Sequence, residues 1–462
     1  MSSLGTGGEE WRRMEGGGRY QRSDSELATS KAEIRSHRMA QAQVRVVDPR
    51  GQAVANQPVR VRQIEHAFPF GENLWALDAM YRHGLWDTDR ARYWRRRFVE
   101  VFNAANALCY WTERPRNDGS KTEDFQGEPR YEGFARCVEW AHGQGLRVKG
   151  HPVFWSIPKC IPDWLMRYDL ETQWKFIEVR VRSLLARFGG QVTMWDAVNE
   201  ALWEPAPKNL PHRHWPHIEP IGDIADYVER VLRWAREERP DARLVLNDYG
   251  LEAGAVKQEP MAADGRAVTS QLQRERMVEL VNELSRRGSP PNAIGLQSHT
   301  SGFVTRDQQH ELYDQMAAAG VGVQITEFWV PGRGLEQLPE DERRQIEAEY
   351  ACDHLTHAFA HPAVEAFFFW GFMKSAIEWR GEHSGHELRP MFDAVRSLIR
   401  EQWWTDQTLA TDGEGLIRFS GFYGDYGLRL QHNGHELGGA RFNLQRGAGM
   451  PLTVMVEAPR GG

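Results

Sequence analysis

Cysteine is scarce in this sequence of 462 residues, and long apolar runs are absent. The four cysteines stand apart without a Cys-x-x-Cys pair, so the sequence offers no zinc-binding or redox motif. A chain of this length does not need disulfides to fold, and the cysteines are interpreted as buried thiols. No stretch of about 18 apolar residues occurs, so no transmembrane helix is expected.

An excess of positive charge is also lacking. The formal net charge is -7 at pH 7, which disfavours nucleic acid and anionic membranes as partners. The N-terminus has no apolar core typical of a signal peptide, so the protein is expected to be cytoplasmic unless a leader has been removed. Tryptophan, by contrast, is abundant, with 18 residues. This surplus suits stacking on sugar rings, although most of these side chains are expected to fill the core.

Eight short apolar runs alternate with longer segments of helical periodicity, which predicts an α/β fold with a parallel sheet. Eight such units over about 340 residues fit a closed (β/α)8 TIM barrel with insertions. An open doubly wound sheet is the alternative, but the glycine-rich phosphate loop expected after its first strand is missing. The predicted strands are residues 67–71, 104–110, 147–154, 192–198, 243–247, 293–297, 323–327 and 366–370.

The two ends of the sequence differ from the predicted barrel segment in composition and in the pattern of apolar and polar residues. Residues 1 to about 30 are rich in glycine, serine and charge, and they predict a disordered tail. Residues 44–63 and 415–458 alternate apolar and polar residues between turns, and such strands need a second layer to bury their apolar face. We hypothesise that they form one small accessory β-sandwich, similar to the transthyretin-like kind, with the barrel inserted between its halves. The predicted segments are 1–40 (tail and short helix), 41–64 (N-terminal β part), 65–404 (catalytic barrel) and 405–462 (C-terminal β part).

Polar and aromatic residues follow six of the predicted strands. In a β/α barrel the C-terminal strand ends meet at one face, so these side chains are expected to share a pocket. Two carboxylates, two histidines, amides and tryptophans around one opening suit carbohydrate chemistry. The residues are His151, Trp155, Asn199, Glu200, Asn247, Gln297, His299, Glu327 and Trp370.

Glu200 and Glu327 form the candidate catalytic pair. Glycoside hydrolysis needs one protonated carboxyl group and one ionised carboxylate. The two residues end strands on roughly opposite sides of a small barrel, from where their carboxyl groups are expected to lie about 5–5.5 Å apart, the retaining geometry. A lone glutamate at a strand end is more often a salt-bridge partner or a helix cap, but the pair with its neighbours favours catalysis. Two carboxyl groups suffice for this chemistry, so no cofactor is predicted.

Six motifs resemble those of glycoside hydrolase family 10, the xylanases. They are GHPVFW (150–155), MWDAVNEA (194–201), LNDYG (246–250), GLQSH (295–299), VQITEF (323–328) and FFWG (368–371). They follow the order of the family from about residue 65 to 400, and the flanking β segments resemble its plant-type branch. The resemblance implies endo-acting cleavage of β-1,4-xylan with retention, with Glu200 as acid/base and Glu327 as nucleophile. It also implies sugar contacts by His151, Trp155, Asn199, Gln297, His299 and Trp370.

Three departures from the family pattern concern the sugar-binding residues. The stretch ALCYWTERP after the second strand lacks the usual Asn and Lys, and Ser156 replaces a common His. Trp329 stands where an Asp usually orients His299, and we count it as a candidate substrate-binding residue. The catalytic pair is intact, whereas the subsite for the next sugar is altered. A branched xylan or another β-linked glycan is therefore an alternative substrate.

A third hypothesis is a carbohydrate-binding barrel without activity, which is disfavoured because both carboxylates remain. Three histidines, His212, His214 and His217, cluster in a proline-rich loop. Loop structure or substrate contact is a better explanation for them than a metal, so no metal site is predicted. Trp203 and Trp379 stand near the predicted pocket and are interpreted as stacking platforms or as loop packing.

Overall fold

The computed structural model describes residues 20–111, 130–157, 160–204, 206–208, 220–252, 267–300, 302–332, 335–380, 385–432 and 435–457. The described chain starts with helix α1 (Asp24–Arg38), followed by strands β1 (Met39–Val47) and β2 (Pro58–His66). Among the described helices, none is long and apolar enough to cross a membrane.

Helix α1 corrects the prediction of disorder up to about residue 30. Ser23 caps the helix by accepting a hydrogen bond from the backbone N–H of Glu26. Leu27 and Ile34, one face of the helix, are buried. The helix packs on the barrel, so tertiary burial orders a segment whose composition by itself predicts disorder. Residues 1–19 lie outside the described part of the chain.

Eight parallel strands close into a barrel, as expected from the sequence. Each strand pairs with the next along the chain, and the last pairs with the first. The strands are β3 (Phe70–Asn73), β4 (Ala104–Leu108), β5 (Arg147–His151), β6 (Val192–Asn199), β7 (Arg243–Asp248), β8 (Ala293–Leu296), β9 (Gly322–Phe328) and β10 (Val364–Phe369). The predicted fold class is confirmed.

Helices connect the strands and bury their apolar faces against the barrel. They are α2 (Trp75–Arg82), α3 (Asp89–Val101), α4 (Glu132–Gly143), α5 (Leu170–Phe188), α6 (Ile221–Glu238), α7 (Ser270–Arg286), α8 (Arg306–Ala317), α9 (Glu340–Ala360), α10 (Phe372–Ala376) and α11 (Pro390–Ser397). A 3-10 turn (Asp163–Arg167) precedes α5, a π turn (Leu398–Gln402) follows α11, and a hairpin of β11 (Ile377–Arg380) and β12 (Gly385–Leu388) separates α10 from α11.

Two glycines in the barrel strands leave room for large rings on the neighbouring strands. A Cβ atom at Gly150 in β5 would lie 2.3 Å from the ring of Trp195 on β6, and one at Gly71 in β3 would lie 2.3 Å from the ring of Phe368 on β10. Only glycine leaves room for these rings. The glycine that precedes His151 therefore allows the Trp195 ring to pack against β5.

Strands from the two ends of the chain together form two accessory sheets. Three strands, β14 (Leu416–Phe422), β1 and β17 (Leu452–Met455), form one sheet. The second sheet has the order β13 (Asp406–Ala410), β2, β15 (Gly424–His432) and β16 (His435–Leu444). A separate apolar core, including Val44, Val61, Ile417 and Tyr426, fills the space between them. Neither end has enough strands to bury this core without the other.

Candidate active site

Glu200 follows the last residue of β6 in a left-handed backbone conformation, with φ of +56°. Its N–H donates to the carbonyl oxygen of Asn247 on β7 at 2.7 Å, which holds this unfavourable conformation. The side chain is 8% exposed. Gln297, at the end of β8, donates its Nε2 hydrogen to Glu200 Oε1 at 3.0 Å. The carboxyl group of Glu200 is therefore directed into the barrel mouth by two neighbouring strands.

Glu327 lies on β9 and is 4% exposed. Asn247 Nδ2 donates to Glu327 Oε1 at 2.9 Å and to Asn199 Oδ1 at 2.8 Å. The hydroxyl of Thr326 donates to Asn247 Oδ1 at 2.6 Å, which fixes the amide. Asn247 thus links the strand that carries Glu327 to the residue that precedes Glu200.

His151 ends β5 and is oriented by a buried ion pair. Its Nδ1 lies 2.8 Å from Asp196 Oδ2, and its Nε2 lies 3.7 Å from Glu327 Oε1. Lys149 Nζ lies 2.8 Å from Asp196 Oδ1, and both side chains are fully buried. Burial by itself would raise the pKa of Asp196, but Lys149 and His151 together hold it below its usual value. An ionised Asp196 keeps the proton of His151 on Nδ1 and turns Nε2 towards Glu327.

His299 packs face to face with Trp329, with ring centroids 3.8 Å apart and an interplanar angle of 14°. His299 Nε2 lies 3.5 Å from Glu327 Oε2. Burial lowers the pKa of His299 to about 4. The sequence left open which partner His299 finds in the absence of the usual Asp, and the structure shows a stacked indole ring. Trp329 itself is 42% exposed, so part of its surface remains accessible.

An aromatic wall completes the pocket beside His151. Trp370, which follows β10, meets the His151 ring edge to face at 5.4 Å, and Tyr110 meets it at 5.7 Å from another side. Trp155 lies 5.7 Å from Tyr110, and Trp75 contacts both Tyr110 and Trp370 at 6.1 and 6.3 Å. The structure therefore brings Trp155 and Trp370 into the pocket, together with two aromatic residues that the sequence analysis missed.

The electrostatics of Glu327 reflect its buried setting. Burial raises its pKa well above the usual range, and the charges of Asp196 and Glu200 raise it further. The hydrogen bond from Asn247 and the charge of Lys149 oppose this rise. Because the charge of Glu200 contributes, the two carboxyl groups interact electrostatically.

Four further charged residues support the site, and three of them, Lys149, Asp196 and Glu72, were not predicted from the sequence. The fourth is Asp248, whose Oδ2 accepts from the N–H of Leu202 and so fixes the turn after Glu200. Glu72 on β3 accepts from the N–H groups of Gly371 and Phe372 and holds the turn after Trp370. Their charged side chains within apolar strands were a usable signal, because such residues are seldom buried without a partner.

Two predicted candidates lie elsewhere. Trp203 stacks on Tyr249 at 4.9 Å and is 2% exposed, so it packs a loop. Trp379 lies in the β11–β12 hairpin against Tyr93 and beneath the guanidinium of Arg90. The histidine cluster at 212, 214 and 217 lies outside the described residues. Within the ranges that the structure does describe, no group of three His, Cys, Asp or Glu side chains could hold a metal.

Comparison with known proteins identifies relatives for most of the chain. The anti-sigma-I factor RsgI6 of Acetivibrio thermocellus is 25% identical over 428 residues, 91% of this chain and 49% of that protein. Endo-1,4-beta-xylanase 2 of Arabidopsis thaliana is 24% identical over 80% of this chain and 30% of its own length. The chain therefore spans half or less of the length of these two relatives.

The solved structures share the fold. Xylanase 10B from Thermotoga petrophila, in complex with xylobiose, is 21% identical with a TM-score of 0.52, over 73% of this chain and 95% of that one. A family model for glycosyl hydrolase family 10 matches residues 116–396, more than half of the sequence. The resemblance indicated by the six sequence motifs is confirmed, and the chain belongs to glycosyl hydrolase family 10.

Proposed function

We propose that this protein is a retaining, endo-acting glycoside hydrolase that cleaves β-1,4-xylosidic bonds in xylan. The observation that carries the proposal is the hydrogen-bonded chain of amides between the two carboxyl groups. Gln297 donates to Glu200, and Asn247 donates to Glu327. The amides orient one oxygen of each carboxyl group.

The proposed roles follow from these contacts. Glu327 attacks the anomeric carbon as the leaving oxygen takes the proton of Glu200, and a glycosyl ester forms on Glu327. A water molecule then loses its proton to Glu200 and attacks the anomeric carbon, which frees Glu327. Asn199 lies beside the pair and is placed to hold the 2-hydroxyl group of the sugar, a contact that strengthens in the transition state.

The proposed mechanism needs one of the two carboxyl groups, Glu200 or Glu327, to be protonated and the other to be ionised. Two carboxylates in one buried site repel each other, so the first proton is retained to a higher pH than in an isolated carboxyl group. We place this proton on Glu200 and the charge on Glu327. With Glu200 neutral, its contribution to the raised pKa of Glu327 disappears, while the hydrogen bond from Asn247 and the charge of Lys149 continue to favour the ionised form.

Xylan is proposed as the substrate on the strength of family membership and of the relatives named as xylanases. One observation favours a second candidate, a retaining hydrolase of another β-linked glycan. Trp329 covers one face of His299, where the family pattern places an Asp, and it exposes 42% of its surface beside the nucleophile. An indole at this position offers a stacking surface in place of a charge, and stacking selects for the shape of the sugar.

Product analysis separates these substrates. The protein is incubated with plain xylan, substituted xylan and a panel of β-glucans, and the products are resolved by chromatography. Short xylo-oligosaccharides from the xylans would support the endo-xylanase. Cleavage of a β-glucan without cleavage of either xylan would favour the second candidate. Absence of cleavage of every glycan would favour a carbohydrate-binding barrel without activity.

Two variants test the assigned roles. Glu327→Ala should lower turnover of every substrate by about four orders of magnitude or more, because no nucleophile remains. Glu200→Ala should retain turnover of aryl glycosides with good leaving groups, because their cleavage needs little acid assistance. Glu171→Ala, at a position that is 82% exposed on α5, is the matched control and should behave like the wild type. Full activity in both active-site variants would refute the assignment.

A further inference from the structure

A line of polar contacts crosses the barrel interior beneath the catalytic pocket. Arg243, the first residue of β7, and Glu365, the second residue of β10, form an ion pair near the N-terminal face of the barrel. Gln324 of β9 donates its Nε2 hydrogen to Glu365 Oε1 at 2.8 Å. The other end of the same amide, Oε1, accepts from Lys149 Nζ of β5 at 3.1 Å. Gln324 therefore joins the ion pair to the ammonium group that leads to the catalytic pocket.

Gly322, the first residue of β9, makes room for the ion pair. A Cβ atom at this position would overlap Glu365 Oε2 and lie 3.0 Å from Arg243 Nη2. Arg243 contacts Glu365 with two nitrogens, since Nε donates to Oε1 and Nη2 donates to Oε2. A bidentate pair of this kind fixes the plane of a carboxylate. The carboxylate of Glu365 is therefore held with Oε1 directed at Gln324.

The carboxylate of Glu365 decides which way the amide of Gln324 points. An ionised carboxylate only accepts hydrogen bonds, and an ammonium group only donates them. Between Glu365 and Lys149, the amide satisfies both partners only with its NH2 group towards Glu365 and its oxygen towards Lys149. Gln324 is fully buried, so a reversed amide would set donors against donors in a place where unpaired polar groups are costly.

A carboxylate, an amide and an aromatic ring contact the ammonium group of Lys149. Asp196 Oδ1 lies 2.8 Å from Nζ, Gln324 Oε1 lies 3.1 Å away, and the centre of the Phe368 ring lies 5.3 Å away. All four side chains are fully buried. An ammonium group has three N–H donors, and a buried donor without a partner is costly. Loss of the Gln324 oxygen would therefore either displace the ammonium group or disfavour its charge.

We propose that Gln324 is a positioning residue, which fixes the charge of Lys149 where it favours the ionised form of Glu327. Glu365 and Arg243 orient Gln324 from the opposite face of the barrel. The inference rests on the proposed function for the role of Glu327 as the nucleophile, whereas the contacts themselves do not depend on that role. Burial raises the pKa of Glu327, and the charge of Lys149 opposes the rise. A displaced or neutral ammonium group would therefore make the nucleophile harder to ionise.

A direct titration of Glu327 tests the proposal. Gln324→Leu removes the acceptor for Lys149 and leaves in place the other titratable groups that face Glu327, which are His151, Asp196, Glu200 and His299. We expect the pKa of Glu327 to rise by about half a unit, a fraction of the shift of about one to three units that a charge in direct contact exerts. The pKa is read from carbon NMR of the Glu327 carboxyl group without substrate, with Glu327→Gln to assign the signal. An unchanged pKa would overturn the proposal.

Activity gives a second readout. The acid limb of kcat/KM for an aryl xyloside should move to higher pH by the same amount, which lowers kcat/KM about threefold on that limb. If no glycoside is cleaved, the proposed function fails, but the titration without substrate still decides the role of Gln324.

Glu365→Leu tests the orienting step at a less buried position, since this side chain is 26% exposed. It should also raise the pKa of Glu327, although removal of a negative charge by itself would lower that pKa. The double variant with Gln324→Leu should show no larger shift than Gln324→Leu alone, because the two side chains act in series. Additive shifts, or a lowered pKa in Glu365→Leu, would refute the orienting role.

Gln309 of α8 provides the matched control. It is a buried glutamine whose amide is also hydrogen-bonded at both ends, to Val304 and Tyr313. Gln309→Leu should lower the stability of the protein without changing the pKa of Glu327. An equal shift in this variant would mean that a loosened fold, and not the position of Lys149, changes the pKa, and the proposal would be wrong.

Discussion

Lys149 illustrates, at the scale of single residues, how a buried charge can orient a reacting group. Its ammonium group contacts Asp196 at 2.8 Å and Gln324 at 3.1 Å within the barrel, and Asp196 in turn holds His151. Glu327 lies at the end of this series of contacts. The charge of Lys149 therefore acts on the proposed nucleophile through two intermediate side chains.

Removal of that charge should affect both stability and catalysis. Lys149→Met leaves Asp196 buried without its counterion, which should lower the free energy of unfolding by about 3–5 kcal/mol. Adding Asp196→Asn removes the orphaned charge and should recover part of this loss, as measured by urea unfolding. Activity should stay low in both variants, because each breaks the series of charged contacts from Lys149 through Asp196 to His151. Recovery of activity in the double variant would contradict the proposed orienting role.

His354 on α9 is a second buried titratable residue, close to the strand that carries the proposed nucleophile. Its ring stacks on Phe328 at 4.3 Å, and burial lowers its pKa to about 3. Among the described residues, neither ring nitrogen has a hydrogen-bond partner. The folded state disfavours protonation of His354, whereas the unfolded chain takes up this proton below about pH 6.5. His354 therefore costs stability increasingly as the pH falls through this range.

His354→Phe should accordingly stabilise the protein most in acid. Its advantage in free energy of unfolding over the wild type should grow by up to about 1.4 kcal/mol per pH unit from pH 6.5 towards pH 4. Chemical unfolding at a series of pH values measures the difference. His83→Phe, at an exposed position after α2, is the control for the substitution itself. A constant difference across the range would mean that His354 is not held neutral by the fold.

At the scale of elements, local signals predicted where helices exist better than where they begin. The periodicity of the sequence predicts helices near residues 308–319 and 390–402. Helix α8 starts at Arg306, two residues before the first of these, because Thr305 and Gln308 form a reciprocal capping box. The second is α-helical only to Ser397 and ends in a π turn. Helix α1 was only partly predicted, because it is ordered by packing on the barrel, which is formed by residues distant in the sequence.

Arg38 at the end of α1 anchors this helix. Its guanidinium donates to the carbonyl oxygens of Phe359 and Val364 at 2.7 and 2.6 Å, where α9 passes into β10. Arg38→Met should lower the free energy of unfolding by about 2–4 kcal/mol, because it leaves carbonyl groups without donors. Arg35→Met, at an exposed position of the same helix, should change it by less than about 0.5 kcal/mol. Equal effects of both variants in thermal and chemical unfolding would disprove the anchoring role.

At the scale of the whole molecule, the two chain ends are joined through the accessory sheets. Strand β1 pairs with β14 and β17, and β2 pairs with β13 and β15. His66 at the end of β2 contacts Phe70 and Phe359 of the barrel unit, as well as Phe422 of β14. The accessory core and the barrel core are therefore in direct contact, and both depend on the same junction.

Loss of the C-terminal segment should expose two long strands. A chain ending at residue 404 retains β1 and β2 without their partners, so their edges and the buried valines of the accessory core face solvent. We expect this chain to aggregate or to unfold at a lower temperature, as measured by size-exclusion chromatography and calorimetry. Addition of the separate 405–462 segment should restore a monodisperse species. A truncated chain as stable as the full one would show that the accessory strands do not need their partners.

The sequence by itself determined the alternation of strands and helices and the polar residues at the strand ends. These are local patterns, because strand and helix periodicity places side chains on a face and a barrel collects strand ends at one side. Only the tertiary structure decided the stacking of Trp329 on His299, the ion pair of Lys149 with Asp196, and the contact of Gln324 with Glu365. Each joins residues from different elements, and packing and register, rather than local propensity, determine such contacts.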